Sequence, residues 1–205
     1  AASVKGRYVV GVDIGGRSAR SDYSVIVVVD TEGASGMPEV VAQWRGHGDH
    51  DIVVWRAASI ARWYADALLV IESNTLETDP DSGGDSGLFA LTELNHVYHN
   101  LYRRRVRDTV TRSVDSRVGF HTNRATKTIL VNNLVGLVRD AAYIERDDAA
   151  CDELSVYECD ASGRFGAKQG YHDDMVMARA LALFAAAEYP ARHTAPVNLP
   201  LKFNF

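Results

Sequence analysis

The sequence predicts a mixed α/β fold, in which an antiparallel meander and parallel strands share one sheet and helices cover both of its faces. Three observations predict it. Three β-branched or apolar runs follow one another closely in the first 45 residues. A run of helical periodicity then leads into a short, wholly apolar strand. Beyond that, helical and strand-like segments alternate, as in sheets with helices packed on them.

The elements follow in order. Arg7 to Asp13 (RYVVGVD) reads as a buried strand, a Gly- and Ser-rich turn follows, and Tyr23 to Asp30 (YSVIVVVD) is strongly β-branched. Thr31 to Pro38 is turn-like and Glu39 to Arg45 is a third strand. Asp51 to Ala67 places Ile52, Trp55, Ala58, Ile60, Trp63 and Tyr64 at helical spacing. Leu68 to Glu72 (LLVIE) is then a strand parallel to the first. Ser73 to Gly87 reads as a long polar loop, of the kind that is often functional. Leu88 to Tyr102 is helical, and Arg103 to Phe120 has room for a hairpin. Thr122 or Asn123 caps a helix running to about Arg139. Asp152 to Cys159 is expected as a last strand and Asp173 to Glu188 as a last helix, closed by Pro190.

Composition narrows the classes. The 205 residues are 46% hydrophobic and 24% charged, enough for one domain with a sizeable core, expected at about 7–189 with a tail over 190–205. No repeat or linker divides the chain. The longest apolar run, Met175 to Ala187, is interrupted by Arg179, which excludes a membrane span. Ala1 to Arg7 lacks the apolar core of a signal peptide, and Cys151 and Cys159 form neither a disulfide framework nor a zinc pattern, so a cytosolic, non-secreted protein is expected. The net charge of −5 conceals an asymmetry. Asp66 to Glu93 holds seven acidic residues and no Lys or Arg, whereas Arg103 to Lys127 holds eight basic residues against Asp108 and Asp115.

Three groups of carboxylates sit among apolar residues. Asp13 and Glu72 end two interior strands, and Asp173-Asp174 open an apolar helix. Carboxylates in such surroundings need a partner. If the strands are parallel neighbours, Asp13 and Glu72 leave the same sheet edge, and the helix start supplies further oxygens. Such ligands suit Mg²⁺ or Mn²⁺. Two of these ions roughly 4 Å apart activate water and stabilise the leaving oxygen of a phosphodiester. Other roles are open: Asp13 as a turn cap, Glu72 paired with an arginine, Asp173 as a helix cap. With Arg179 taken as the solvent side, Asp174 lies about 140° and Asp173 about 120° from it, so neither is preferred.

As a set these residues resemble the nuclease domain of viral large terminases, of the tailed-phage and herpesvirus type. Gly11-Val12-Asp13 with Asp22-Tyr23-Ser24-Val25-Ile26 resembles the opening of that domain, and Val70-Ile71-Glu72-Ser73-Asn74 its second acidic motif. Gly119-Phe120 with Thr122-Asn123 and Lys127 resembles the segment leading into a later helix. Ala167-Lys168 and Gly170-Tyr171-His172-Asp173-Asp174 resemble the third acidic motif. The four blocks occur in order from Tyr8 to about Ala187.

The resemblance implies an RNase H-like fold and a metal-dependent endonuclease that cuts concatemeric viral DNA during packaging, with Mg²⁺ or Mn²⁺ as cofactor and two ions once DNA is bound. It implies Asp13, Glu72 and Asp174 as metal ligands, with Asp173 as a fourth carboxylate. The implied partners are double-stranded DNA and, in a full-length protein, the packaging ATPase domain, the portal and the small terminase subunit. The implied setting is the host cytoplasm for a phage, or the cytoplasm or nucleus for another virus. The chain has no GxxxxGK[ST] phosphate loop and is expected to be the nuclease domain alone.

Supporting residues have two roles each. Asp22 holds the Gly-rich turn or reaches the metal. Lys127 and Lys168 neutralise phosphate or are solvated, and His172 acts in proton transfer or bonds locally. Arg103, Arg104, Arg105, Arg107, Arg112, Arg117 and Arg124 are the DNA-backbone candidates, since phosphate contact needs positive charge without base specificity. The acidic loop from Glu77 to Asp85, with Asp79 and Asp81, is expected to discourage DNA entry or to meet a partner. Rival readings are a Holliday-junction resolvase of related fold and a DNA- or portal-binding module without nuclease activity. A third is a nucleotide-binding protein of the actin and sugar-kinase superfamily, suggested by Val12-Asp13-Ile14-Gly15-Gly16 and Asp30-Thr31-Glu32-Gly33.

Overall fold

A computed structural model describes residues 6–18, 21–78, 86–107 and 112–188. Strands β1 (Tyr8–Asp13), β2 (Ser24–Asp30), β3 (Glu39–Gly46) and β4 (Leu68–Ile71) form one sheet in the order β3-β2-β1-β4. β1 pairs antiparallel with β2, and β2 with β3, while β4 lies parallel to β1 with Val12 opposite Ile71. This is the expected meander joined by a parallel strand. Helix α1 (His50–Trp63) makes the crossover, and the chain then reverses through Ala65 and Asp66, both at positive φ.

Side chains alternate across the strands and so divide the core in two. On one face Val9, Val25, Val27, Leu68 and Val70 pack against α4 (Arg124–Arg139) and α6 (Asp174–Glu188). On the other, Val10, Val12, Ile26, Leu69 and Ile71 pack against α1 and α3 (Ser86–Val97). Every residue of β2 is buried, as expected for a strand covered on both sides. Gly11 belongs to the α6 face. A Cβ there would lie 2.5 Å from the Ala178 carbonyl oxygen and 2.8 Å from Ala182 Cβ, so α6 rests directly on the β1 backbone.

Several expectations need correction. The polar loop after Glu72 begins with a short helix, α2 (Asn74–Thr78), while Asp79, Asp81 and Asp85 lie outside the described residues. Asp152 to Cys159 is not one strand. The Asp147 side chain accepts the Ala149 N–H and starts helix α5 (Asp148–Ser155). Only Tyr157–Cys159 (β7) is extended, paired with Phe165–Ala167 (β8). Arg179 does not mark solvent: it is fully buried. Cys151 and Cys159 are free thiols, both exposed. No helix among the described residues is long and apolar enough to cross a membrane.

The basic stretch forms a hairpin, β5 (Arg103–Arg107) with β6 (Val114–Val118). Its base is tied to the free side of β4 by main-chain bonds. Leu69 N–H donates to Asn100 O at 2.9 Å, Phe120 N–H to Ile71 O at 2.8 Å and Ser73 N–H to Phe120 O at 2.8 Å. Gly119 makes the approach possible, with φ +87° and a Cβ position only 2.9 Å from the Ile71 carbonyl oxygen.

Candidate active site

Asp13 is the last residue of β1, and Glu72 directly follows β4. Glu72 N–H donates to Val12 O at 2.9 Å, which keeps the parallel register going one residue past the strand and sets the two side by side. By alternation Asp13 continues the Val9–Gly11 side and Glu72 the Leu68–Val70 side, so both project toward α6. Asp173 and Asp174 stand at the start of that helix. All four carboxylates line one cleft of about 560 Å³, together with Gly15, Gly16, Asp22, Thr75 and Lys127.

The four carboxylates are not equivalent. Burial, then the negative charge of Glu72, Asp174 and Asp173, pushes the Asp13 carboxyl well above its ordinary range. Asp174 is 4% exposed and also raised, chiefly by burial, although its Oδ2 accepts the Tyr23 N–H at 2.9 Å. Asp173 is half-buried and holds Lys127 Nζ at 3.3 Å from its Oδ2. The N-terminal end of α6 carries partial positive charge and favours anions there. One lysine and a helix end leave four clustered carboxylates short of positive charge. Hard oxygen donors with unbalanced negative charge fit Mg²⁺ or Mn²⁺, and Asp13, Glu72, Asp174 and Asp173 are the residues that would hold it. Among the described residues, Asp22, His172 and Asp174 also place ligand atoms within 4.8 Å of one another, with His172 Nδ1 3.2 Å from Asp22 Oδ1.

The two lysine candidates separate. Lys127, on the first turn of α4, lines the cleft, whereas Lys168 lies 3.8 Å from Glu158 on β7. Residues 121–123 lead into α4, and Asn123 caps it by accepting the Ala125 and Thr126 N–H groups.

The arginines divide as well. On β5, Arg103, Arg105 and Arg107 are exposed on one face of the hairpin, Arg117 is exposed on the other, opposite Arg104, and Arg112 is exposed ahead of β6. Arg103 bonds Asn95 Oδ1. Arg104 turns inward, donating to Ser73 Oγ at 2.7 Å and pairing with Glu77 Oε1 at 2.6 Å. Arg124 donates to Ser162 O at 2.9 Å.

Sequence reasoning gave no role to Thr75 and Asn74. The Thr75 hydroxyl donates to Ile14 O at 3.2 Å, tying α2 to the end of β1. Asn74 Nδ2 donates to Thr122 O, and its Oδ1 accepts Thr122 N–H at 2.8 Å. The signal available was Ser73-Asn74-Thr75 directly after Glu72, residue types suited to opening a helix.

No protein-family model and no curated protein matches the chain. Solved structures do. The large terminase nuclease from thermophilic phage G20c with bound magnesium superposes with a TM-score of 0.61 at 24% identity, covering 86% of this chain and 80% of that one. A second structure of the G20c nuclease gives 0.57 at 20% identity, covering 91% and 86%. The P22 large terminase nuclease domain gives 0.54 at 9% identity, covering 89% and 82%. The chain therefore has the RNase H-like fold found in phage large terminase nucleases.

Proposed function

We propose that this chain is a divalent-metal-dependent endodeoxyribonuclease that cuts viral DNA during genome packaging, with little sequence preference. One observation carries the proposal: Asp13, Glu72, Asp173 and Asp174, drawn from two strands and a helix, line a single cleft. A surface made only for binding DNA has no use for carboxylates gathered where phosphate must approach. The G20c nuclease, solved with magnesium, supports the same reading through its shared fold.

When bound, Mg²⁺ or Mn²⁺ would supply activated water and charge stabilisation for the leaving oxygen. The chain's own residues do the rest. Asp13 and Glu72 are fixed by the strand register, and Asp174 by the Tyr23 N–H, so their oxygens are ordered before substrate arrives. Lys127 holds Asp173 and brings a positive charge to the rim where a phosphate would lie. The exposed arginines of the β5–β6 hairpin, beside Glu72, are suited to the DNA backbone.

The test is conversion of supercoiled plasmid to nicked and linear forms in Mn²⁺, Mg²⁺ or EDTA, beside Asp13→Asn. Cutting that needs metal and disappears in the variant supports the reading. Cutting that survives Asp13→Asn, or its absence from wild type in Mn²⁺, refutes it. Preference for four-way junctions over linear duplex would move the assignment to a resolvase.

A further inference from the structure

The start of α6 carries two of the cleft carboxylates, so whatever fixes that helix end fixes them. The first amides of a helix have no partner within it and need an outside acceptor. For Met175 that acceptor is a side chain 22 residues away, since its N–H donates to Glu153 Oε2 at 2.9 Å. Glu153 belongs to α5 and is itself buried, 8% exposed.

The other carboxylate oxygen of Glu153 faces Arg45, whose Nη2 is 3.5 Å from Oε1. The Arg45 guanidinium lies over the Tyr23 ring, 4.1 Å from its centroid. The Tyr23 N–H in turn donates to Asp174 Oδ2. Glu153, Arg45, Tyr23 and Asp174 thus close a ring that joins α5, β3, the turn before β2 and the start of α6. Two contacts of the ring fall on neighbouring positions of α6, one on the Met175 backbone and one on the Asp174 side chain.

We infer that Glu153 is a positioning residue: by capping α6 from α5, it holds Asp174 in the orientation in which its carboxylate receives a divalent cation. This rests on the nuclease reading above and deepens it. The capping contact needs an oxygen acceptor at this position and not a negative charge, so glutamine can replace glutamate there. Methionine fills a similar volume with no oxygen to offer.

The experiment measures Mn²⁺ binding by electron paramagnetic resonance, and plasmid nicking as a function of Mn²⁺, in wild type, Glu153→Gln and Glu153→Met. Partners that orient metal ligands typically change affinity by tenfold or more, so Glu153→Met should bind Mn²⁺ about 10-fold more weakly. Its half-maximal Mn²⁺ concentration for nicking should rise by the same factor, while the rate at saturating Mn²⁺ stays near wild type. Hydrogen exchange at the Met175 amide should quicken in Glu153→Met alone. Glu153→Gln should match wild type throughout. Wild-type Mn²⁺ affinity in Glu153→Met overturns the inference. So does a folded Glu153→Gln that binds Mn²⁺ about 10-fold more weakly, and this arm decides the matter even if the methionine variant does not fold. A wild-type chain that neither binds Mn²⁺ nor nicks DNA overturns the nuclease reading itself, a result distinct from either.

Discussion

Arg179 Nε lies 2.5 Å from Glu145 Oε2, and the arginine side chain is entirely removed from solvent. The same guanidinium donates to Gln43 Oε1 at 2.7 Å and to Met175 O at 3.3 Å, joining β3, the segment before α5 and the first turns of α6. Removing one member of a buried pair strands the other charge. Arg179→Leu should therefore destabilise the fold by about 3–5 kcal/mol, measured by urea denaturation. Arg139→Leu, whose partner Asp140 is exposed, should have little effect in the same measurement.

The crowded carboxylates predict how stability depends on pH and metal. The Asp13 carboxyl is raised by burial and by Glu72, Asp174 and Asp173, so its contribution is complete below the unfolded-state value and is lost as pH rises through the folded-state value. In EDTA, Tm should fall as pH rises above the ordinary carboxylate range, and this slope should shrink in Asp13→Asn. Mg²⁺ binds the ionised carboxylates, so the Tm increase it causes should grow with pH in wild type and be much reduced in the variant. Scanning calorimetry at several pH values checks both.

The hairpin arginines should separate into two classes. Replacing Arg105, Arg107 and Arg117 together by alanine should weaken duplex binding at every sequence and lower the salt slope of log K by about 2–3, with Tm unchanged. Arg104→Ala should do the reverse, because its guanidinium is already engaged by Ser73 and Glu77. Fluorescence anisotropy over a salt series, run beside thermal melts, distinguishes them.

Asn74 clamps the Thr122 backbone through both ends of its amide. Asn74→Ala should cost about 1–2 kcal/mol in denaturation. It should also slow cleavage, because residues 121–123 lead directly to Lys127.

Much of this arrangement is legible in sequence because it is local. β-Branched runs fix β1, β2 and β4, and alternation along them puts Asp13 and Glu72 at strand ends on one face. What escapes is what depends on distant partners. Arg179 reads as a solvent marker until Glu145 is found beside it. Glu153 looks like an ordinary surface acid because the amide it caps lies beyond two further strands. Asp152 to Cys159 reads as a strand, yet the cap at Asp147 commits its first part to helix. Asn74 closes the second acidic motif, but its role appears only when Thr122 is brought to it.

The contact between Gly11 and α6 gives the cleft a built-in gauge. Gly11 lies two residues before Asp13, and Ala178 lies about one helical turn beyond Asp174, so the place where helix and strand touch sits just behind the carboxylates. Nothing but main chain and a methyl group separates the two elements there. The width of the cleft is consequently set by atoms that are missing. A single added methyl at position 11 would act as a shim, tilting α6 off the sheet and parting Asp174 from Asp13 without touching either.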